Sequence, residues 1–304
     1  MYEIVGVGHS CLDRLCVVEN YPKEDDSTHI VSTSVQGGGA VATALVAASR
    51  LGIGTAFIGN IGNDEVSDRI VGFFEADGVS TALMSRRSDC HGLESFVMVN
   101  PANGSRTKFP QKDDNPPIEW NSKSEAAIKE AKVLHLDGTN YANAVKAASI
   151  AKSCGVTVSL DGCSMQEDNR KNRELASLSD ILIMNRKYPL KVSGELSYDE
   201  ALLKIASWGP KIVVCTLGEQ GSLAIIDGKV RRFEPYRPKK VVDTTGCGDV
   251  YHGAFLCAYV LGMDVDRAIA FAGVAAGLKC EKLGGRAGIP TRAEVSALIG
   301  DFVI

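Results

Sequence analysis

The sequence predicts an α/β protein: a doubly wound, mostly parallel sheet with helices on both faces, plus a small separate β-sheet. Short apolar runs alternate with Ala-rich segments of helical periodicity along most of the chain. This repeated strand–helix order is typical of a parallel sheet covered on both faces. Two segments, about 12–36 and 92–112, break the rhythm with β-type stretches and no helix between them, so we expect them to form the small sheet.

The elements can be followed in order along the chain. The predicted strands are Tyr2 to Val7, Thr55 to Ile58, Lys132 to Leu136, Val156 to Leu160, Ile181 to Met184 and Ile212 to Thr216. The predicted helices are Gly38 to Leu51, Asp64 to Ala76, Tyr141 to Ser153, Tyr198 to Trp208, Gly248 to Leu261 and Asp266 to Lys279. In such sheets ligands bind beyond the carboxyl ends of the strands.

Composition limits the classes of partner. The chain has 304 residues, 45% of them hydrophobic, which is enough for one large core. The net charge is −4 with no basic block, so we expect no nucleic acid partner. No apolar run approaches the roughly 20 residues of a membrane span. The expected partner is therefore a small molecule.

The nine cysteines are scattered and include no CxxC pair. This pattern favours reduced thiols in a cytoplasmic protein over a zinc site or a redox motif. The start of the chain does not resemble a signal peptide. The five histidines share no ligand spacing, so no metal site made by the protein itself is predicted.

The segment Val242-Asp243-Thr244-Thr245-Gly246-Cys247-Gly248-Asp249-Val250 carries the clearest chemistry. Glycines 246 and 248 allow a tight turn whose N–H groups point at one spot, where a helix also begins. Such a turn stabilises the negative charge of a transferring phosphoryl group. A carboxylate beside it, Asp249, can accept a proton from an attacking alcohol. The alternative is that Asp249 only caps the helix.

The stretch DTTGCGDVYHGAF resembles the C-terminal signature of the ribokinase-like, or PfkB, carbohydrate kinases. The resemblance implies that Asp249 is the catalytic base and that Gly246, Cys247 and Gly248 form the anion hole. Family members usually have alanine at the position of Cys247, so this residue is expected to contribute its backbone N–H. A nucleophilic cysteine is the alternative, although no histidine is obviously paired with it in sequence.

Further segments extend the resemblance over nearly the whole chain. They imply a sugar site, in which Asp13 grips hydroxyls, Gly38 and Gly39 let the sugar approach the backbone, and Thr43 stands where Asn is common. Arg106, in the small sheet expected to act as a lid, is a candidate substrate contact. The resemblance also implies a set of nucleotide-binding residues: Asn185, Lys187, Thr216, Gly218, Gly221 and Thr244. Tyr188 stands where many members have a Glu near the Mg²⁺ water shell.

The resemblance therefore implies one kinase domain over 1–304 that uses ATP and Mg²⁺, with K⁺ as an optional activator, and that pairs as a homodimer through the lid. The first signature looks most like the ketohexokinase-like or sulfofructose-kinase-like branch. The substrate is expected to be a ketose, pentose or sugar acid. Three lid cations, Lys23, Arg106 and Lys108, leave a phosphorylated substrate open.

A nucleoside kinase of the same fold and a non-catalytic sugar-binding regulator remain alternatives. A dinucleotide-dependent oxidoreductase is disfavoured because the third glycine of its fingerprint would fall on Cys11. The chain also has no GxxxxGK[ST] loop, so phosphate binding must use the turn at Gly246.

Overall fold

A computed structural model describes residues 2–300. The strands are β1 (Ile4–Val7), β2 (Cys11–Val18), β3 (Ile30–Gly38), β4 (Thr55–Ile61), β5 (Ser80–Arg86), β6 (Glu94–Val99), β7 (Arg106–Pro110), β8 (Val133–Leu136), β9 (Thr157–Gly162), β10 (Ile181–Asn185), β11 (Ile212–Thr216), β12 (Ser222–Ile226) and β13 (Lys229–Phe233). The helices are α1 (Ala40–Arg50), α2 (Glu65–Ala76), α3 (Ser122–Glu130), α4 (Tyr141–Ser153), α5 (Asn169–Leu178), α6 (Tyr188–Ser193), α7 (Tyr198–Ala206), α8 (Cys247–Val260), α9 (Val265–Lys279) and α10 (Arg292–Ile299).

The large sheet has nine strands in the order β13-β12-β11-β10-β9-β8-β1-β4-β5. Every neighbouring pair from β11 to β5 is parallel, and the antiparallel hairpin β12–β13 finishes one edge. The chain builds outward from β1 to β5 on one side and then returns to β8 on the other. This doubly wound order, predicted from the sequence, is confirmed, and its switch point lies between β1 and β8.

Two hydrophobic cores cover the two faces of the large sheet. One packs α1, α2, α8 and α9 against it, and the other packs α3 to α7 against the opposite face. The strands in the middle of the sheet are buried on both faces, which explains their continuous apolar runs. Within residues 2–300, none of the helices combines the length and apolarity that crossing a bilayer requires.

The two segments that broke the strand–helix rhythm form a separate sheet of four strands in the order β3-β2-β6-β7. Its outer pairs, β2–β3 and β6–β7, are antiparallel, whereas the central pair β2–β6 is parallel. The predicted small sheet is confirmed. It has its own minor core of Leu15, Val97 and Val99.

Several elements were not predicted from the sequence. They are β5, the hairpin β12–β13, and the helices α3, α5, α6 and α10. The sequence predicts that the first helix begins at Gly38, which is two residues too early. Strand β3 runs to Gly38, and α1 begins at Ala40.

Candidate active site

The candidate site lies beyond the carboxyl ends of the parallel strands, where the start of α8 meets the inner face of the small sheet. Gly246 precedes α8 in the left-handed conformation, with φ of 74°. A Cβ at this position would lie 2.8 Å from Cα of Gly285, so the turn and the loop that follows α9 pack backbone to backbone. Only glycine satisfies both conditions, and the resulting turn leaves the first N–H groups of α8 without helical partners.

Asp249 lies in the first turn of α8. Burial raises the pKa of its carboxyl to about 6, against the lowering effect of the nearby Lys108 charge; Asp161 raises it further. A carboxylate whose pKa lies just below neutral is ionised at pH 7 and still basic enough to accept a proton. Its position and basicity match those of a general base beside an anion-binding turn.

A buried network supports α8 behind Asp249. Nε2 of His252, one helical turn beyond Asp249, lies 3.3 Å from Oδ1 of Asp161, and both side chains are almost fully buried. Although burial lowers the pKa of His252, the Asp161 carboxylate outweighs it and the pKa is raised. The ring of His135 lies 5.5 Å from that of His252, and burial together with the His252 charge lowers the pKa of His135 to about 3.

Asp13 lies on β2, on the inner face of the small sheet, and is 7% exposed. A Cβ at Gly38 would fall 2.3 Å from its carboxylate oxygen, so the glycine makes room for Asp13. Burial raises the pKa of Asp13, while the charges of Lys108 and Arg286 oppose this. Gly39 has φ of 97° and lies against the carbonyl of His9. Asp13, Gly38 and Gly39, which the sequence analysis expects to bind the acceptor, therefore lie close together.

Thr43 and Arg106 occupy different environments. Thr43 is buried in α1, with its hydroxyl facing the loop at Gly285. Arg106, on β7, reaches the anion turn: its Nη1 donates to Oγ1 of Thr244 at 3.2 Å, and Thr244 in turn donates to the carbonyl of Gly104. The small sheet thus touches the segment that precedes α8.

The remaining residues that are expected to bind the nucleotide cluster at neighbouring strand ends. Asn185 ends β10 and accepts a hydrogen bond from the N–H of the exposed Lys187. Thr216 ends β11 and donates to the carbonyl of Met184 at 3.2 Å. Gly218 and Gly221 bound the short turn that follows, both with positive φ. These residues lie at or just beyond the carboxyl ends of the adjacent parallel strands β10 and β11, next to the start of β12.

Comparison with known proteins decides the family. The model of the pfkB family carbohydrate kinases matches residues 1–292. The chain belongs to this family. It is 29% identical to the ribokinase of Staphylococcus aureus, covering 97% of this chain and 98% of the relative. It is 27% identical to a nucleoside kinase of Methanothermobacter thermautotrophicus, covering 96% and 94%.

A solved structure agrees with this assignment. Ribokinase of Arabidopsis thaliana, complexed with ribose and ATP, superposes with a TM-score of 0.85 at 25% identity, covering 98% of this chain and 99% of that one. The predicted family, fold and enzyme class are therefore confirmed: this PfkB protein is an ATP-dependent carbohydrate kinase. The match to both a ribokinase and a nucleoside kinase leaves the predicted branch untested.

One sequence-based hypothesis about this kinase is not supported. Tyr188 was expected to face the water shell of Mg²⁺, but its side chain is only 2% exposed. Its hydroxyl lies 3.5 Å from the carbonyl of Asn172 in α5, and its ring packs near Gly162. The phenol fills the core between β9, β10 and α5, so we assign it no role at the metal.

Cys247, the first residue of α8, has a close neighbour that the sequence did not reveal. Its Sγ lies 2.9 Å from Sγ of Cys280, just beyond the end of α9. The adjacent Lys279 is fully buried, and its Nζ donates to the carbonyl of Asp243 at 2.9 Å. Hydrogen bonding to Cys280 and burial raise the pKa of the Cys247 thiol. A thiol held protonated is a poor nucleophile, which supports the backbone role for Cys247.

Sequence reasoning missed several polar residues of the site. They are Asp137, Asp161, His252 and Arg286. Two patterns could have found some of them: His252 is three residues after Asp249 on one helix, and Asp137 and Asp161 stand at the carboxyl ends of buried strands. Arg286 is buried beneath Gly37 and Gly38, a contact across the chain that no local pattern shows.

Proposed function

We propose that this kinase transfers the γ-phosphoryl group of Mg-ATP to a hydroxyl of a small sugar or sugar derivative, with Asp249 as general base. The observation that carries the proposal is the partly buried carboxylate of Asp249, of raised pKa, beside the turn at Gly246. Asp249 takes the hydroxyl proton while the N–H groups of the turn stabilise the charge of the phosphoryl group. Asp13 orients the acceptor from the opposite side.

The site residues fit a triphosphate better than a metal cage. Among residues 2–300, no group of three His, Cys, Asp or Glu side chains is arranged to hold an ion. We therefore propose that Mg²⁺ is held mainly by the phosphates and water, near Asn185, and neutralises phosphate charge. Thr216, Gly218, Gly221, Thr244 and Lys187 would contact the nucleotide. We also propose K⁺ as an optional activator of the enzyme.

The direct test is release of ADP by the purified full-length chain with a panel of ketoses, pentoses, sugar acids, sugar phosphates and nucleosides. We expect at least one sugar or sugar derivative to stimulate ADP release well above the rate with ATP alone. A response confined to nucleosides would instead support the nucleoside kinase alternative. Tight sugar binding with no turnover would support a non-catalytic regulator.

The rate should depend on the ionisation of Asp249. Because the base must be deprotonated, we expect kcat/KM to fall as the pH drops through about 6 and to level off above it. The measurement is kcat/KM from pH 5 to 9 with saturating Mg-ATP. A flat profile across pH 5 to 7 would contradict the assignment of the base.

Asp13 should act on the acceptor rather than on the nucleotide. We expect Asp13→Ala to raise the KM for the acceptor by about 10- to 100-fold, because hydrogen bonds to a charged group are lost. The KM for ATP should change far less. Asp13→Asn, which keeps the size of the side chain against Gly38, serves as the packing control. Equal changes in both KM values would place Asp13 outside the acceptor site.

We propose that the small sheet, within about 12–36 and 92–112, is a lid that closes on the acceptor as part of one kinase domain. Its core is minor, and its contact with the large domain at Thr244 is a few hydrogen bonds. Hydrogen exchange of β2, β3, β6 and β7 is expected to slow when acceptor and nucleotide bind together. Unchanged exchange in these strands would rule out closure.

Two further expectations belong to this proposal. Phe96 and Phe109 pair across β6–β7 and are 46% and 56% exposed, which supports a homodimer through the outer face of the lid. Sedimentation of native protein and Phe109→Ser measures the oligomeric state.

The nine free cysteines support a cytoplasmic location.

A further inference from the structure

Two cations share the inner face of the proposed lid. Arg106 and Lys108 are two residues apart on β7, so their side chains leave the strand on the same side. Their cross-strand partners on β6 are Val99 and Val97, which are buried beneath the small sheet. Because directly paired residues share a face, Arg106 and Lys108 project from the same face of the small sheet as Val97 and Val99, which is also the face that carries Asp13.

The two cations divide the cleft between them. Arg106 contacts Thr244, immediately before the anion turn, so it lies on the side of the transferring phosphoryl group. Lys108 lies about 7 Å further along β7. Its charge opposes the burial that raises the pKa of both Asp13 and Asp249, so its ammonium lies within electrostatic reach of both carboxylates. Lys108 can therefore face an acceptor that is held by Asp13 beside Asp249.

This ammonium lacks the kind of partner found elsewhere on the small sheet. Arg14, on the outer face, pairs with Glu94 at 2.6 Å. Within residues 2–300, neither Lys108 nor Arg106 forms an ion pair shorter than 4.0 Å with a carboxylate, and both side chains are exposed to the open cleft. Closing the lid removes water, and a buried unpaired ammonium is costly. An anionic group on the acceptor would remove this cost.

We propose that the acceptor is an anionic sugar, carrying a carboxylate or a phosphate, and that Lys108 binds this group as the residue that determines specificity. The inference rests on the proposed kinase function and narrows its substrate class. Asp13 then orients the hydroxyl groups, Lys108 holds the anion, and Arg106 is left for the transferring phosphoryl group. Neutral sugars and nucleosides lack the group that completes the closed site.

The test compares matched acceptors with the full-length enzyme at pH 8, well above the pKa of Asp249. Neutral ketoses and aldoses are compared with the corresponding sugar acids and sugar phosphates. We expect kcat/KM to favour at least one anionic acceptor by about 10- to 100-fold, the value of a charge-assisted hydrogen bond. Preference among the anionic arms distinguishes carboxylate from phosphate.

Variants of Lys108 separate specificity from general electrostatics. Lys108→Met is expected to abolish the preference for the anionic acceptor, whereas Lys108→Arg keeps most of it. Lys229→Met, on the edge strand β13, is the matched control and should keep the wild-type ratio. Loss of activity by the same factor for anionic and neutral acceptors would overturn the inference, because Lys108 would then act only on Asp249.

The failure of this inference is distinguishable from failure of the kinase proposal. If a neutral sugar is phosphorylated with the same kcat/KM as its anionic counterparts, the inference of an anionic acceptor is overturned. The proposed kinase function is not affected by that result. If no member of the panel is phosphorylated, this result contradicts the proposed kinase function itself.

An independent observation concerns the pair Cys247 and Cys280, whose sulfur atoms are 2.9 Å apart. A disulfide requires about 2.05 Å, so bonding needs a shift of under about 1 Å. Both residues are only half-buried, which gives a small oxidant access. The hydrogen bond from the Cys247 thiol and the nearby Lys279 ammonium lower the pKa of the Cys280 thiol, so Cys280 supplies the thiolate of the pair.

We infer that this pair is a redox switch: hydrogen peroxide takes two electrons from the thiols, giving one disulfide and two water molecules. The bond would draw the first residue of α8 toward α9 and displace an N–H of the anion turn. Peroxide treatment is expected to lower the mass of the chain by about 2 Da, to link the peptides that contain Cys247 and Cys280, and to lower kcat. A dithiol should restore kcat.

Cys280→Ser cannot form the disulfide. Because Cys280 is outside the phosphate site, we expect the variant to have a normal kcat, and mild peroxide should not lower it. Cys154→Ser, at an exposed thiol, is the control and should remain sensitive. Absence of the cross-link in oxidised protein, or equal peroxide loss in Cys280→Ser, overturns the switch.

Discussion

Asp249→Asn is expected to lower kcat by about 10² to 10⁴, the contribution typical of general acid–base catalysis. The amide cannot accept the proton of the attacking hydroxyl, while the turn at Gly246 and its N–H groups remain in place. Binding of ATP should therefore persist. The measurements are kcat with the best acceptor and the Kd for ATP by calorimetry.

Thermal unfolding provides the control for this variant. Because burial raises the folded-state pKa of Asp249 above its unfolded value, ionisation above pH 6 destabilises the fold. Asp249→Asn removes that charge, so its melting temperature should equal or exceed that of the native chain at pH 8, with the difference shrinking toward pH 4. Near-native turnover in a folded variant would refute the base assignment.

Much of this arrangement was predictable because the sequence carries local patterns for it. Continuous apolar runs indicated the buried parallel strands, and glycines 246 and 248 before Asp249 indicated the tight turn at which α8 begins. The hairpin β12–β13 was missed although its turn is Asp227-Gly228, both with positive φ, which is a strong hairpin pattern. The local pattern therefore contains enough information to predict this hairpin.

Other features depend on contacts that no local pattern contains. Tyr188 lies three residues beyond the end of β10, and only the packing of α5 against β9 shows that its side chain enters the core. The pairing of Asp161 with His252 joins residues 91 positions apart (252 minus 161), on a strand and a helix. The sulfur contact between Cys247 and Cys280 likewise arises because α8 and α9 are adjacent.

The charges of the cleft show why fold and specificity differ in predictability. The catalytic turn is one continuous segment, so its chemistry is written in consecutive residues. The acceptor site that we propose is divided between β2 and β7, which supply Asp13 and Lys108 from segments about 95 residues apart in the chain (108 minus 13). Their meeting depends on the register of β2 with β6 and of β6 with β7.

Gly246→Ala should abolish most activity through geometry alone. Its φ of 74° disfavours any side chain, and the added Cβ would lie 2.8 Å from Cα and 2.9 Å from the carbonyl oxygen of Gly285. The turn must shift, so its N–H groups no longer point at the phosphoryl group. We expect kcat to fall by about 10² to 10³, as when an oxyanion-hole donor is lost.

The matched control is Gly273→Ala, in the middle of α9, where an added Cβ meets no atom within 4 Å. Alanine is the better helix former there, so kcat should stay near the native value and stability should not fall. In Gly246→Ala the KM for the acceptor should stay near the native value while kcat falls, because Asp13 and Lys108 lie on the small sheet and are not displaced by the turn. A Gly246→Ala enzyme with native kcat would show that the turn does not form the anion hole, whatever the role of Asp249.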